Sequence, residues 1–320
     1  MFPMKYRCSA RFVALFVCLP LLLALIACRG LLMQNAPPTP VDIKSAEVIG
    51  THVFLVVLEN QKFDVIVGRP PAPYLNSLIA QGGLATQFYA NVHPSEPNYF
   101  MLTSGQTLAL SQFPTGIIDV NNLARLFGQN GVSWRAYMES LPRIGYTGDM
   151  AYPYVKAHNP FAYYSDTHFL PQQASNIVPF TQFASDLANH ALPAFSYIVP
   201  NLINDMHDCP PGTTCTNEDK ILRADQWLQN NVGPLLSSPE FQKDGILIIT
   251  WDESFDTDSA HGGGHIPLII VGPGVKAGFQ STTFYQHESV LRLIEERLLV
   301  PATLGSSASA PGMDEFLVGH

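Results

Sequence analysis

The stretch HVFLVVLEN, residues 52–60, decides the fold class. Its apolar run is short, rich in valine and uninterrupted. A strand with one wet face alternates apolar and polar residues, so an unbroken run points to a strand covered on both sides, as in a parallel sheet flanked by helices. FSYIVP (195–200), ILIITW (246–251) and IPLIIVG (266–272) read the same way. Residues 84–92 and 133–138 are expected as further strands. Helical periodicity covers 74–80, 121–129, 180–190, 218–232 and 287–299, the first ending at Gly82-Gly83. This alternation predicts an α/β fold with a largely parallel central sheet and helices on both faces. Residues 140–175, rich in Tyr, Pro and His, lack periodicity and are expected as a long functional loop. The Ser-, Ala- and Gly-rich end, 301–320, is expected to be a flexible tail.

The chain of 320 residues is 47% hydrophobic and 13% charged, enough apolar material for a sizeable core. Its start is different. Lys5, Arg7 and Arg11 precede an apolar run from Phe12 to Ala27, the order of a secretory signal and too short for a membrane span. The run closes on Leu25-Ile26-Ala27-Cys28, which resembles a bacterial lipobox and makes Cys28 the expected lipidation site. The expected organisation is a lipoprotein signal over 1–28, a Pro-containing tether over 29–50, a catalytic domain over 51–300 and the tail. An exported, membrane-anchored protein facing periplasm or cell exterior follows. Cys209 and Cys215 flank a Pro/Gly turn, and in an exported chain they are expected to form a disulfide. A zinc site with nearby His207 is the other reading. The formal net charge is −9 and no basic run occurs in the body of the chain, which argues against a nucleic-acid partner.

In open α/β sheets, ligands gather at the carboxyl ends of the strands. There the first strand delivers Glu59 and Asn60, and the strand 246–251 delivers Asp252 and Glu253. The strand 195–200 runs on into PNLINDMHD with Asp205 and His207, and AHGGGH brings His265. HPSEPNYFMLTSG (93–105) places Ser95 as the expected N-cap of a helix, among free N–H groups that suit an anion. Carboxylates with an amide oxygen form a hard-oxygen site for a divalent cation, and without one they repel each other. Gly262 to Gly264 are read either as close approach to a ligand or as a flexible turn. His261 is read as a surface residue and His287 as a structural residue at the start of the last helix. Tyr152, Tyr154, Tyr163 and Tyr164 are read as aromatic packing in the loop, with the lining of a substrate mouth as the other reading. The LTSG sequence is not a serine-esterase elbow.

Strand–Glu-Asn, then PSxPNY, PN…DxHD, WDE and GGGH–strand, in that order, resemble the phosphoesterase family of acid phosphatases and phospholipases C. That family belongs to the alkaline phosphatase superfamily, and the likeness is greatest to its short secreted acid phosphatases. The resemblance implies an α/β/α sandwich and a phosphatase acting through a phosphoserine. It makes Ser95 the nucleophile, Asn98 a phosphate contact, and Glu59, Asn60, Asp252 and Glu253 ligands of one divalent metal. Asp205, His207 and His265 fall where a second ion, or the phosphate and leaving group, would be held. KAHNPF (156–161) is similar to a family segment, which makes His158 a phosphate contact. Small phosphate esters or phosphorylated lipids are the implied substrates. A phosphodiesterase or phospholipase C on the same scaffold, and a non-catalytic anion-binding lipoprotein, are the alternatives.

Overall fold

The computed structural model describes residues 52–108, 116–301 and 303–319. The expected leader, Cys28 and the tether lie outside the described residues. Eight strands form one sheet: β1 (Val53–Leu58), β2 (Gly83–Ala85), β3 (Trp134–Met138), β4 (Ile177–Pro179), β5 (Phe195–Val199), β6 (Ile246–Trp251), β7 (Leu268–Val271) and β8 (Phe279–Ser281). Their spatial order is β4-β3-β5-β1-β6-β7-β2-β8. β1 lies between β5 and β6 and runs parallel to both.

Every residue of β1 and β6 is buried. Successive strand side chains point to opposite faces, so both faces of the sheet are covered. The helices pack in pairs, Ser95–Ser104 with His287–Arg297 and Pro73–Gln81 with Asn217–Asn231. Thr216 and Asp219 close a capping box on the last of these. Asp225, on the same helix, accepts bonds from the N–H groups of Tyr74 and Leu75 at 3.0 and 2.8 Å. It thereby caps the neighbouring helix, whose own cap residue, Ala72, has no polar side chain.

The largely parallel α/β architecture is as expected, with one reversal. β7 runs antiparallel to β6 and β2. The pairing of Thr250 with Leu268 puts the segment before β7 beside the end of β6. His265 reaches the carboxyl edge for that reason. β4 and β8, three residues each, carry no legible pattern. The expected strand 84–92 is only β2, continued by isolated bridges at Phe88 and Tyr89. The expected Cys209–Cys215 disulfide is formed.

Residues 140–175 fold into 3-10 turns at Lys156–His158 and Pro160–Ala162 and short helices at Ser165–Phe169 and Pro171–Ala174. Tyr154, Tyr163 and Tyr164 are buried there, while Tyr152 is exposed. The C-terminal segment corrects the expectation of a mobile tail. Leu304, Met313, Phe316 and Leu317 are buried, and Glu295 accepts bonds from the N–H groups of Thr303 and Leu304. Its apolar residues are spaced for irregular turns, so no helical or strand period exposes them in the sequence. Phe316 packs edge-on to Phe279 and against Tyr285. Phe316→Ala should therefore lower the unfolding free energy by about 3–5 kcal/mol, read as a shifted urea midpoint with little change in slope. A loss within about 0.5 kcal/mol is what a loose tail would give.

Candidate active site

Leu58 is paired with Trp251 in the β1–β6 register, so Glu59-Asn60 and Asp252-Glu253 leave the sheet side by side. The Asp252 N–H donates to the Leu58 carbonyl at 3.0 Å, and the Asn60 N–H donates to Asp252 Oδ1 at 3.2 Å. Asn60 turns the chain with φ of 41°, a left-handed conformation that asparagine tolerates better than most residues. Asp205 arrives from the segment after β5, its carbonyl accepting from the Glu59 N–H at 2.9 Å.

Ser95 is the first residue of the helix Ser95–Ser104, and Pro94 occupies the cap position. This corrects the N-cap expectation. The Ser95 hydroxyl does not accept from helix N–H groups; its oxygen lies 2.7 Å from Glu253 Oε1 and 3.3 Å from Glu59 Oε2, as donor. Asn98, expected on phosphate, has both amide atoms committed to the preceding loop. Its oxygen accepts from the N–H groups of Asn91 and Val92 at 3.1 and 3.2 Å, and its nitrogen donates to the Val92 carbonyl at 2.8 Å. Asn98 thus acts on Ser95 by fixing the loop that carries it.

The glycines before β7 allow close approach to two neighbouring segments, the Ser95 loop and the turn after β6. At Gly262, φ is +112° and an added Cβ would lie 1.9 Å from the Asn91 carbonyl oxygen. At Gly264, φ is +85° and the Asp258 carbonyl oxygen would be 2.4 Å away. The close approach is therefore to backbone, which neither reading of the glycines anticipated. His287 is structural, as expected. It is buried, donates from Nε2 to the Trp251 carbonyl at 2.9 Å and sets Nδ1 3.0 Å from the Asn91 side-chain oxygen.

Glu59, Asp205 and Asp252 have no solvent exposure and Glu253 almost none. Burial raises all four carboxyl pKa values above the ordinary range. The like charges of Asp252 and Asp205 add to the effect at Glu59, and that of Glu253 adds to it at Asp252. Glu59, Asp205 and Glu253 face imidazoles. His93 Nδ1 contacts Glu253 Oε2, and its Nε2 lies 3.0 Å from the Asp258 carbonyl. Burial opposes the charge on His93, but the Asp258 carbonyl and Glu253 outweigh it and raise its pKa. His158 lies between Glu59 (3.0 Å) and Asp205 (3.5 Å), and burial pushes its pKa down to about 3, so it stays neutral. The Tyr99 hydroxyl donates to Glu59 Oε1.

A cleft of about 290 Å³ opens onto this cluster. Asn60, Ser95, His158 and Glu253 form its polar end; Met150, Val155 and Leu202 form an apolar wall. His207 also lines the cleft, partly exposed and with Nδ1 2.8 Å from Asp208 Oδ1. His265 does not line it. Its ring stacks between Phe63 and Tyr89, and its Nε2 donates to the Thr86 carbonyl at 3.1 Å. Asp205 stands behind His158, its Oδ2 3.5 Å from Nδ1.

Three residues here escaped the sequence reading: His93, Tyr99 and Asp256. Tyr99 was legible in principle, because it stands four residues after Ser95 and so shares its helix face. His93 looked like half of a turn, and Asp256 like a loop acid.

The donor set fits a hard divalent cation. Asn60 Oδ1, Asp252 Oδ2 and Asp205 Oδ2 are buried without a hydrogen-bond partner, among acids that a neutral imidazole cannot balance. His93, Glu253 and Asp256 also bring ligand atoms within 4.8 Å of one another.

Residues 69–301, more than half of the chain, match the phosphoesterase family; Glu59 and Asn60 lie just before that stretch. The chain is 32% identical over 267 residues to a phosphatidylinositol-3-phosphatase of Mycobacterium tuberculosis, covering 83% of this chain and 82% of that one. It is 31% identical to an acid phosphatase of Aspergillus fumigatus, covering 78% of this chain and 55% of the relative. The chain thus spans little more than half of the fungal enzymes it matches. A solved protein of the alkaline phosphatase superfamily from Vibrio parahaemolyticus shares the fold with a TM-score of 0.55 at 17% identity, over 84% of this chain and 72% of that one. A phosphonate monoester hydrolase of Agrobacterium radiobacter shares it equally, at 15% identity, over 84% and 77%.

The buried acids have a consequence for stability. Unfolded carboxyls lose their protons near pH 4, whereas these hold theirs to higher pH in the folded chain. Stabilisation from this source is complete below about pH 4 and is lost as pH rises through the raised folded values. With chelator present, Asp252→Asn should therefore weaken the fall of the melting temperature as pH rises above about 4, relative to wild type. Equal slopes would contradict the assignment.

Proposed function

The chain belongs to the phosphoesterase family and is a hydrolase of phosphoric esters; from that premise we propose a metal-dependent phosphomonoesterase that works through phosphorylated Ser95 at the cell envelope. The observation that carries this is the Ser95 hydroxyl, placed in the cleft against two buried carboxylates. Serine is a weak nucleophile at neutral pH and needs a base or charge stabilisation beside it. Glu253 Oε1 at 2.7 Å is positioned to take its hydrogen.

As the Ser95 oxygen bonds to phosphorus, the bond from phosphorus to the alcohol oxygen breaks and its electron pair leaves with that oxygen. His207, which lines the cleft, would supply the proton. Water then attacks the phosphoserine, giving a proton to His207; the bond to Ser95 breaks, Glu253 returns the hydrogen to the serine oxygen, and inorganic phosphate leaves. Glu59, Asn60, Asp252 and Glu253 would hold the divalent ion, with Tyr99 and His158 orienting Glu59 and His93 orienting Glu253. Such an ion lowers the pKa of the serine hydroxyl and neutralises charge on the phosphoryl oxygens. His265 has no part in these steps.

The apolar wall and the phosphatidylinositol-3-phosphatase relative favour phosphorylated lipids beside small phosphate esters as substrates. The basic start, the apolar run and Cys28 support an exported lipoprotein, as does the Cys209–Cys215 disulfide.

Ser95→Ala should reduce p-nitrophenyl phosphate hydrolysis by at least roughly a thousandfold. Acid-quenched wild type should carry a phosphoryl group on the peptide containing Ser95. Turnover by the variant at the wild-type rate would refute the nucleophile. A wild type that cleaves only the corresponding choline diester would move the assignment to a phosphodiesterase.

A further inference from the structure

Glu96 follows the nucleophile directly and has no part in the chemistry described above. An acidic residue in a first helical turn is ordinarily a surface group that interacts favourably with the helix dipole. Glu96 departs from that pattern in three ways. Only 3% of it is exposed, it lines the cleft with Ser95, and its Oε1 has no hydrogen-bond partner. A buried carboxyl oxygen left unpaired is costly unless something that enters the cleft completes it.

Its surroundings fix it in place. Burial pushes its pKa up to about 7, opposed by the Tyr163 hydroxyl and the Lys156 ammonium. Lys156 Nζ stands 4.2 Å from the centre of the Tyr163 ring, a cation–π contact that holds both side chains. Ser95 turns its oxygen toward Glu59 and Glu253. Glu96, one residue on, interacts instead with the Tyr163 hydroxyl and the Lys156 ammonium. Met150, Val155 and Leu202 line the same cleft.

We propose that Glu96 is the specificity-determining residue of a leaving-group subsite that takes alcohols bearing a hydroxyl next to the phosphorylated carbon, such as glycerol or another polyol. One substrate hydroxyl completes Oε1, and the carbon skeleton lies on the apolar wall. A carboxyl serves such a hydroxyl in either protonation state, as acceptor when ionised and as donor when neutral. A site with a buried polar group discriminates strongly against the analogue that leaves that group unpaired.

This subsite rests on the phosphomonoesterase reading, and the test separates the two. The metal-loaded protein is assayed on glycerol 2-phosphate and on isopropyl phosphate, which has the same skeleton without the hydroxyls. Wild type should favour glycerol 2-phosphate by roughly tenfold or more in kcat/KM. Glu96→Ala should bring that ratio close to unity, and Glu96→Gln, which keeps a hydrogen-bonding amide, should retain most of it. Because the ratio is internal to each preparation, partial misfolding or metal loss does not mimic the effect. A wild-type ratio near unity overturns the subsite and leaves the phosphatase reading intact, as does a Glu96→Ala protein that keeps the preference or loses both substrates equally. Failure of wild type on both esters overturns the phosphatase reading itself.

Discussion

The pairing of β1 with β6 is the constraint on which the rest of the structure depends. Their parallel register ends both strands at one level, so that two acidic pairs emerge into the same small volume. At an effective dielectric near 20, two like charges about 4 Å apart repel by roughly 4 kcal/mol, a large share of a domain's net stability. No fold retains such an arrangement through hydrophobic burial alone without a proton or a cation to offset it. The cluster accordingly has two sets of partners. Neutral groups, the Tyr99 phenol and the His158 imidazole, fix Glu59, and His93 meets Glu253.

Ser95 enters this field from a separate part of the chain, and much of the surrounding architecture exists to hold its loop. Asn98 binds the loop from the helix side. Gly262 lets the segment before β7 lie against it, and His287 ties Asn91 to the end of β6. The reversal of β7 is what makes the glycine contact possible, because it brings that segment to the carboxyl edge. The irregular stretch 140–175 then closes the other side, with His158 toward the acids and Lys156 and Tyr163 toward Glu96. The cleft is consequently lined both by residues at the sheet edge and by residues of the irregular turns.

The central sheet was legible because burial on both faces leaves an unbroken apolar run, and β6 was delimited to the residue. The acids at its edge followed from chain direction alone. Side-chain direction was not legible. Asn98 and His265 have residue types that suit phosphate chemistry, yet the first bonds to its own loop and the second stacks between Phe63 and Tyr89. Burial of the tail was equally hidden, since Met313, Phe316 and Leu317 follow no period. Tyr99 read as an apolar helix residue, which its ring is, while its hydroxyl finds Glu59. Periodicity reports which face of an element is buried, and it does not report what a polar atom on that face meets.

The claim that a divalent ion joins Glu59, Asn60, Asp252 and Glu253 around the serine is tested most directly by p-nitrophenyl phosphate turnover of the protein after exhaustive chelation, followed by metal add-back. The account predicts that hydrolysis disappears with the ion and returns when one divalent ion per chain is restored. Undiminished hydrolysis by protein shown to be free of metal would contradict it.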